Sequence, residues 1–297
     1  APPPPLTLSA NVAARTENLP PGTAVILLPL ANPLRVAEEI ATLDLISDGR
    51  VEFGIGRGTF PNVHEGFNSP FEESRGRFDE SLEIIQKAWT TETFSFEGEY
   101  YKFEDVTVTP KPYQKPHPPI RIGVTSVDSF AATGRMGHSM IINPSRVFTL
   151  EGLKPQIEAY HQAWKDAGHK GKGTVGLRIP IYLSEDPQKA YDEPMESALF
   201  SMGRLSDRTA KYDGRIGTTG DWGAEAEVIK NMSYDDWFRD KVAYGTPDSV
   251  TDKLQMLTEE LGLDQIMFEV NFGNLIPLGN QVNSLRLMME MVAPNLG

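Results

Sequence analysis

The segment "GTAVILLPLANPLRVAEEIATLDLISDGRVEFGIGRG", Gly22 to Gly58, reads as a strand, a helix and a second strand. "TAVILL" (Thr23 to Leu28) is a continuous apolar run, the pattern of a strand covered on both faces. In "NPLRVAEEIATLDLISDG", Asn32 is placed to cap a helix and Pro33 suits its first turn. Val36, Ile40 and Leu43 line one face, and Gly49 offers a left-handed stop. "RVEFGI" is then a strand again. Repeated units of this kind mean a mostly parallel sheet, either doubly wound or closed into a barrel.

The alternation continues outward from this segment. "FEESRGRFDESLEIIQKAWT" carries Phe78, Leu82, Ile85 and Trp89 on one helical face. "FSFEGEYYKFEDVTV" alternates and turns at Glu97-Gly98, which predicts a hairpin insertion over about 93–110. "PIRIGV", "SMII", "TVGLRIPIYL" and "QIMFEV" are further strands. Between them lie a helix from about Val127 to Met136, one bearing Leu153, Ile157, Tyr160 and Trp164, and one capped by Thr246 with Val250, Leu254, Leu257 and Leu261 as its stripe. "QVNSLRLMMEMV" closes the chain, its Met288, Met289 and Met291 reading as core and interface filler. The pattern weakens over about 191–244, where "YDGRIGTTGDWGAE" predicts an irregular, mobile insertion. Six core strands result, whereas a (β/α)8 barrel has eight. The shortfall, with a helix-like "LTLSANVAART" ahead of the first strand, predicts two N-terminal strands missing from this chain or from the protein.

Composition narrows the function. At 297 residues the chain fits one α/β barrel domain over 1–297, and 39% hydrophobic residues suffice for a large core. A formal charge of -13 without a basic run argues against nucleic acid as partner. The chain has no cysteine, which excludes disulfides, zinc-thiolate sites and cysteine nucleophiles. No apolar run is long enough to span a membrane, and no signal-peptide pattern appears, so a soluble cytoplasmic protein is expected. No His/Asp/Glu cluster has metal-ligand spacing.

Gly54, Gly56 and Gly58 form G-x-G-x-G after a strand. The spacing departs from the dinucleotide fingerprint, and "TFPNVHEGFNSP" reads as loop where that fingerprint needs a helix. Glycines here let a strand pack closely and turn at its end. Arg57 is the exception, a charged residue at the carboxyl end of a barrel strand, where active sites of this architecture gather. For Arg75, among Glu72, Glu73 and Asp79, a solvated helix position and an anion contact are both open. Of five histidines, His64 in the loop after the Arg57 strand is the one placed to reach the barrel mouth. Glu269, in the last core strand, could face the interior or the mouth.

The Gly22–Gly58 block, with "FNSPFEESRGRFDESLEII", "PIRIGVTSVDS" and "GTPDSVTDKLQMLTEELGLDQIMFEVNFGNLIP", resembles the bacterial luciferase-like family of flavin-dependent monooxygenases, the luciferase alpha subunit in particular. The resemblance spans most of the chain and weakens between about Tyr191 and Tyr244. It implies a TIM-like barrel holding reduced FMN at the carboxyl ends of its strands. Arg57 and Arg75 match arginines near the flavin phosphate, and Ser126 and Ser129 match phosphate contacts after "RIGV". Guanidinium forks, hydroxyls and helix-start amides suit a phosphate dianion. Ala24-Val25 matches the place of a non-proline cis peptide beside the flavin ring. Gly56 stands where luciferase has a cysteine, and Thr125 where it has an acidic residue, so an aldehyde-specific pocket is not implied. The family's catalytic histidine lies on the second strand, in the missing piece. The implied function is a monooxygenase acting on a small organic substrate in a largely apolar pocket, with reduced FMN supplied by a separate NAD(P)H-flavin reductase. A homo- or hetero-dimer is expected. An F420-dependent oxidoreductase and a non-catalytic flavin-binding partner subunit are the alternatives.

Overall fold

The computed structural model describes residues 4–144, 149–215 and 220–296, and the chain divides into two units, Ala1–Gly123 and Val124–Gly297. In the first unit, helix α1 (Pro5–Ala13) precedes strand β1 (Ile26–Leu27) and helix α2 (Pro33–Ile46). β1 is shorter than the apolar run predicts. The Ala24–Val25 peptide is cis, and a 3-10 turn takes over at Leu28–Leu30, where Pro29 has no N–H to give a ladder. Asn32 caps α2 as expected, its side chain accepting from the N–H groups of Leu34 at 3.0 Å and Arg35 at 3.3 Å. Strand β2 (Phe53–Gly56) is followed by a six-residue helix, α3 (Pro61–Gly66), where the sequence predicts loop. Pro61 at its first position is the local cause. Helix α4 (Ser74–Thr90), the antiparallel pair β3 (Phe94–Glu97) and β4 (Lys102–Val106), and strand β5 (Ile120–Val124) complete the series.

β2 lies between β1 and β5, parallel to both, with Ile55 opposite Ile26 on one side and Ile122 on the other. Val36, Ile40 and Leu43 of α2 and Leu82, Ile85 and Trp89 of α4 bury against Phe53 and Ile55. Trp89 keeps its one polar atom satisfied by donating Nε1–H to the Ala37 carbonyl at 3.0 Å. Glu52, just ahead of β2, and Arg121 of β5 form a two-pronged pair at 2.7 and 3.1 Å.

The second unit runs α5 (Val127–Met136), β6 (Ser139–Ile142), α6 (Lys154–Asp166), β7 (Val175–Leu183), α7 (Pro187–Asp192), α8 (Met195–Lys211), α9 (Trp222–Asn231), α10 (Tyr234–Asp240), β8 (Ala243–Gly245), α11 (Pro247–Leu261), β9 (Gln265–Glu269) and α12 (Leu278–Leu287). The predicted irregular stretch over 191–244 is thus largely helical; residues 216–219 of its expected loop lie outside the described residues. α8 buries Ser197, Ala198, Met202, Ser206 and Thr209. A stripe built from small and hydroxyl residues carries little apolar periodicity, which hides the helix. Among the described residues β8 adds a seventh parallel strand to the six predicted; at three residues it is too short to show alternation.

β7 is the centre of this unit. β6 pairs with Val175–Leu177, β9 with Gly176–Pro180 and β8 with Ile181–Leu183, all in parallel. Val175, Leu177, Ile179, Ile181 and Leu183 pack into the core with Ile157, Tyr160, Leu254 and Leu257. Because side chains alternate along a strand, Arg178, Pro180 and Tyr182 fall on its other face.

Candidate functional site

At the carboxyl end of β2 the fold is tight. A Cβ on Gly56 would lie 2.7 Å from Val25 Cγ2, and one on Gly123 would lie 3.3 Å from Val25 Cγ1. These two glycines make room for the Val25 side chain. The Thr23 hydroxyl donates to the Gly54 carbonyl at 2.7 Å, which ties the segment ahead of the cis bond to β2. Two residues on, Gly58 takes φ +90°, a left-handed conformation that side chains rarely adopt, and a Cβ there would meet His64 Nε2 at 2.7 Å.

That turn carries Arg57. Its Nη1 donates to Ser74 Oγ at 3.2 Å, and its guanidinium lies 5.2 Å from the centre of the Phe71 ring. Ser74 is the first residue of α4, so Arg57 stands beside the amides of a helix start, a setting that favours anions. Arg75, the next residue, is exposed. Asp79, one turn on, is raised by burial and lowered by Arg75, with burial the larger effect. His64 lies on α3, fully buried, its ring edge-on to Phe71 at 5.0 Å. Neither ring nitrogen has a partner in hydrogen-bonding geometry. Burial pushes the imidazole below its ordinary value; the Arg57 backbone partly offsets this and the Arg57 charge adds to it.

In the second unit, Ser126 is the N-cap of α5. Ser129 Oγ accepts from the Ser126 N–H at 3.2 Å and donates to the Ser126 carbonyl at 2.5 Å. Thr125, Ser126 and Ser129 are all half-buried. The predicted residues therefore form two groups: Ala24, Val25, Gly56, Arg57 and Arg75 around the end of β2 and the start of α4, and Thr125, Ser126 and Ser129 at the start of α5.

The face of β7 opposite the core holds a polar group that the sequence did not reveal. Arg178 Nη2 donates to Glu269 Oε2 at 2.6 Å across the β7–β9 pair, which places Glu269 on this face. Beside them Asn143, Trp237, Lys241 and Phe272 enclose a small cavity. Trp237 stacks on Phe272 with ring centres 5.4 Å apart, and its Nε1–H is buried without an acceptor. Lys241 is 5% exposed, and burial lowers its ammonium to about 8 against the pull of Asp240. Only Glu269 was visible beforehand; "FRDKVAYG" gives no sign that its lysine is bound inward. Among the described residues no His/Cys/Asp/Glu group could hold a metal, and no helix is long and apolar enough to cross a membrane.

The model of the luciferase-like monooxygenase family matches residues 1–265. The chain is 27% identical to the FMNH2-dependent dimethylsulfone monooxygenase of Pseudomonas putida, over 88% of this chain and 72% of that protein. It is 30% identical to the alkanal monooxygenase alpha chain of Photorhabdus laumondii, over 98% and 83%. An F420-dependent glucose-6-phosphate dehydrogenase of Segniliparus rotundus is 27% identical over 96% and 81%. Among solved structures, the monooxygenase RslO1 of Streptomyces bottropensis superposes with a TM-score of 0.79 at 28% identity, over 99% of this chain and 84% of that one. The fold is accordingly the TIM-like α/β architecture, built on parallel strands alternating with helices. This chain belongs to the luciferase-like monooxygenase family.

Proposed function

We propose that the protein is a flavin-dependent monooxygenase that receives reduced FMN from a separate NAD(P)H-flavin reductase and uses O2 to oxygenate a small organic substrate, acting as a single 1–297 domain in a cytoplasmic homo- or hetero-dimer. The observation that carries this reading is Arg57, held by the Ser74 hydroxyl and the Phe71 ring at the start of α4. A dianionic phosphate is well matched by a guanidinium beside a hydroxyl and helix-start amides. The donor set therefore fits the FMN phosphate, with Arg57 as its principal contact and Arg75 as an outer one. In the second unit, Thr125, Ser126 and Ser129 at the start of α5 are a separate group of the same chemistry, hydroxyls beside helix-start amides, and would suit a phosphate oxygen in the same way. Ala24, Val25 and Gly56 would form a close-packed wall against the ring system.

The flavin, when bound, supplies the oxygen chemistry, and the protein supplies position and a dry pocket. His64 is closed in and favours the neutral form, so its part is to support the Arg57 turn from beneath. The match to an F420-dependent dehydrogenase over 96% of the chain favours one second reading, hydride transfer with F420. Fluorescence titration of the purified protein with FMN and with F420, each oxidised and reduced, separates the two. Tighter binding of reduced FMN supports the monooxygenase reading; exclusive F420 binding overturns it.

A further inference from the structure

His64 is anchored through its backbone. Its carbonyl accepts from the N–H groups of Phe67 and Ser69, both at 3.0 Å, and Ser69 Oγ donates to the Pro29 carbonyl at 3.1 Å, which ties the end of α3 to the turn after β1. The imidazole is 0% exposed, and among the described residues neither of its nitrogens has a hydrogen-bond partner. A neutral imidazole carries one N–H and one acceptor nitrogen, and leaving them unmade in the interior is costly. On one side of the ring is Phe71, edge-on at 5.0 Å; the Arg57 guanidinium lies over that same Phe71 ring at 5.2 Å. On the other side is Gly58, whose φ of +90° and lack of a side chain leave the space that His64 fills. A Cβ at Gly58 would lie 2.7 Å from His64 Nε2 and 3.3 Å from Leu27 Cδ1. The Arg57 backbone leads into this turn. Burial lowers the imidazole and the Arg57 backbone opposes that, which marks the Arg57 carbonyl as the acceptor in reach, short of a bond of proper geometry.

We propose that His64 is a positioning residue of the phosphate site: its ring N–H closes onto the Arg57 carbonyl when a phosphate is held, and so fixes the turn that aims the guanidinium. The inference rests on the phosphate reading of Arg57 given above and adds to it the residue that sets the arginine. Hydrogen bonds at functional sites are often long until the ligand is bound, and the glycine in the turn allows the small movement that closure needs.

The test is an anaerobic fluorescence titration of the full chain with reduced FMN and with reduced riboflavin, which lacks the phosphate. The ratio of the two affinities isolates the phosphate contact. His64→Phe keeps a ring against Phe71 and removes the N–H; it should lower the FMN-over-riboflavin ratio about five-fold, the size of one net hydrogen bond, and leave riboflavin affinity unchanged. Because an unmade polar group leaves the interior, the same variant should unfold at a higher urea midpoint. A purely structural role would move stability and the ratio in the same direction. His64→Gln, whose amide can donate, should recover most of the ratio. In the 15N-labelled wild type, inorganic phosphate should bring out a protected imidazole N–H resonance that His64→Gln lacks. An unchanged ratio in His64→Phe, a ratio lost together with a lower urea midpoint, a ratio lost equally in His64→Gln, or no such resonance overturns the proposal. The two readings fail separately. A wild type that binds both flavins alike overturns the phosphate assignment of Arg57 and the inference with it, whereas a wild type that prefers FMN, with the preference kept in His64→Phe, overturns the role of His64 alone.

Discussion

Replacing Lys241 with Met should stabilise the protein at neutral pH, and the gain should vanish in alkali. Lys241 is 5% exposed, and its ammonium is lowered from 10.5 to about 8 by burial, after the attraction of Asp240 is included. The unfolded chain therefore binds a proton that the folded chain releases between those values. Stability rises with pH across that window, and below it the folded protein carries the full cost of a buried charge. At pH 7 a displacement of this size corresponds to about 3 kcal/mol. Methionine fills similar space without the charge, so the Lys241→Met protein should gain up to about 3 kcal/mol at pH 7 and below about 1 kcal/mol near pH 10. Urea unfolding of both proteins at pH 7, 8.5 and 10 measures the difference directly. A variant less stable at pH 7, or a difference constant with pH, would refute the reasoning.

The glycine at position 56 offers a packing test: Gly56→Ala should destabilise by about 1–3 kcal/mol, as overpacking does, because its Cβ would lie 2.7 Å from Val25 Cγ2. Adding Val25→Ala should recover part of that loss in the same urea assay, and no recovery would place the strain elsewhere. His64, lowered by burial, contributes stability that is whole above its unfolded value of 6.5 and falls as pH drops through the window beneath it. His64→Gln should therefore flatten the acid limb of stability against pH; superimposable limbs would show that His64 titrates alike in both states.

Legibility followed local signals. Asn32, Pro33 and the Val36, Ile40, Leu43 stripe define α2 in sequence and structure alike, and the Thr246 cap with the Val250, Leu254, Leu257 and Leu261 stripe does the same for α11. α8 escaped because its buried stripe is Ser197, Ala198, Met202, Ser206 and Thr209, which no apolar period marks. α3 escaped because six residues after a glycine-rich turn look like loop. At the site, glycine spacing and a charged strand end drew attention to Gly56 and Arg57. The partner of Arg57 is Ser74, seventeen positions away, a contact set by tertiary packing. Trp237 and Lys241 belong to a charged helix end whose outward appearance in sequence is reversed by the fold.

The most direct test of the account is anaerobic equilibrium binding of reduced FMN to the wild-type protein and to Arg57→Ala, followed by flavin fluorescence. Removing a charge-assisted contact to phosphate should weaken binding by at least about ten-fold, with the wild type saturable. Absence of reduced FMN binding to the wild type, or equal affinity in the two proteins, would contradict the assignment of Arg57 as the phosphate anchor.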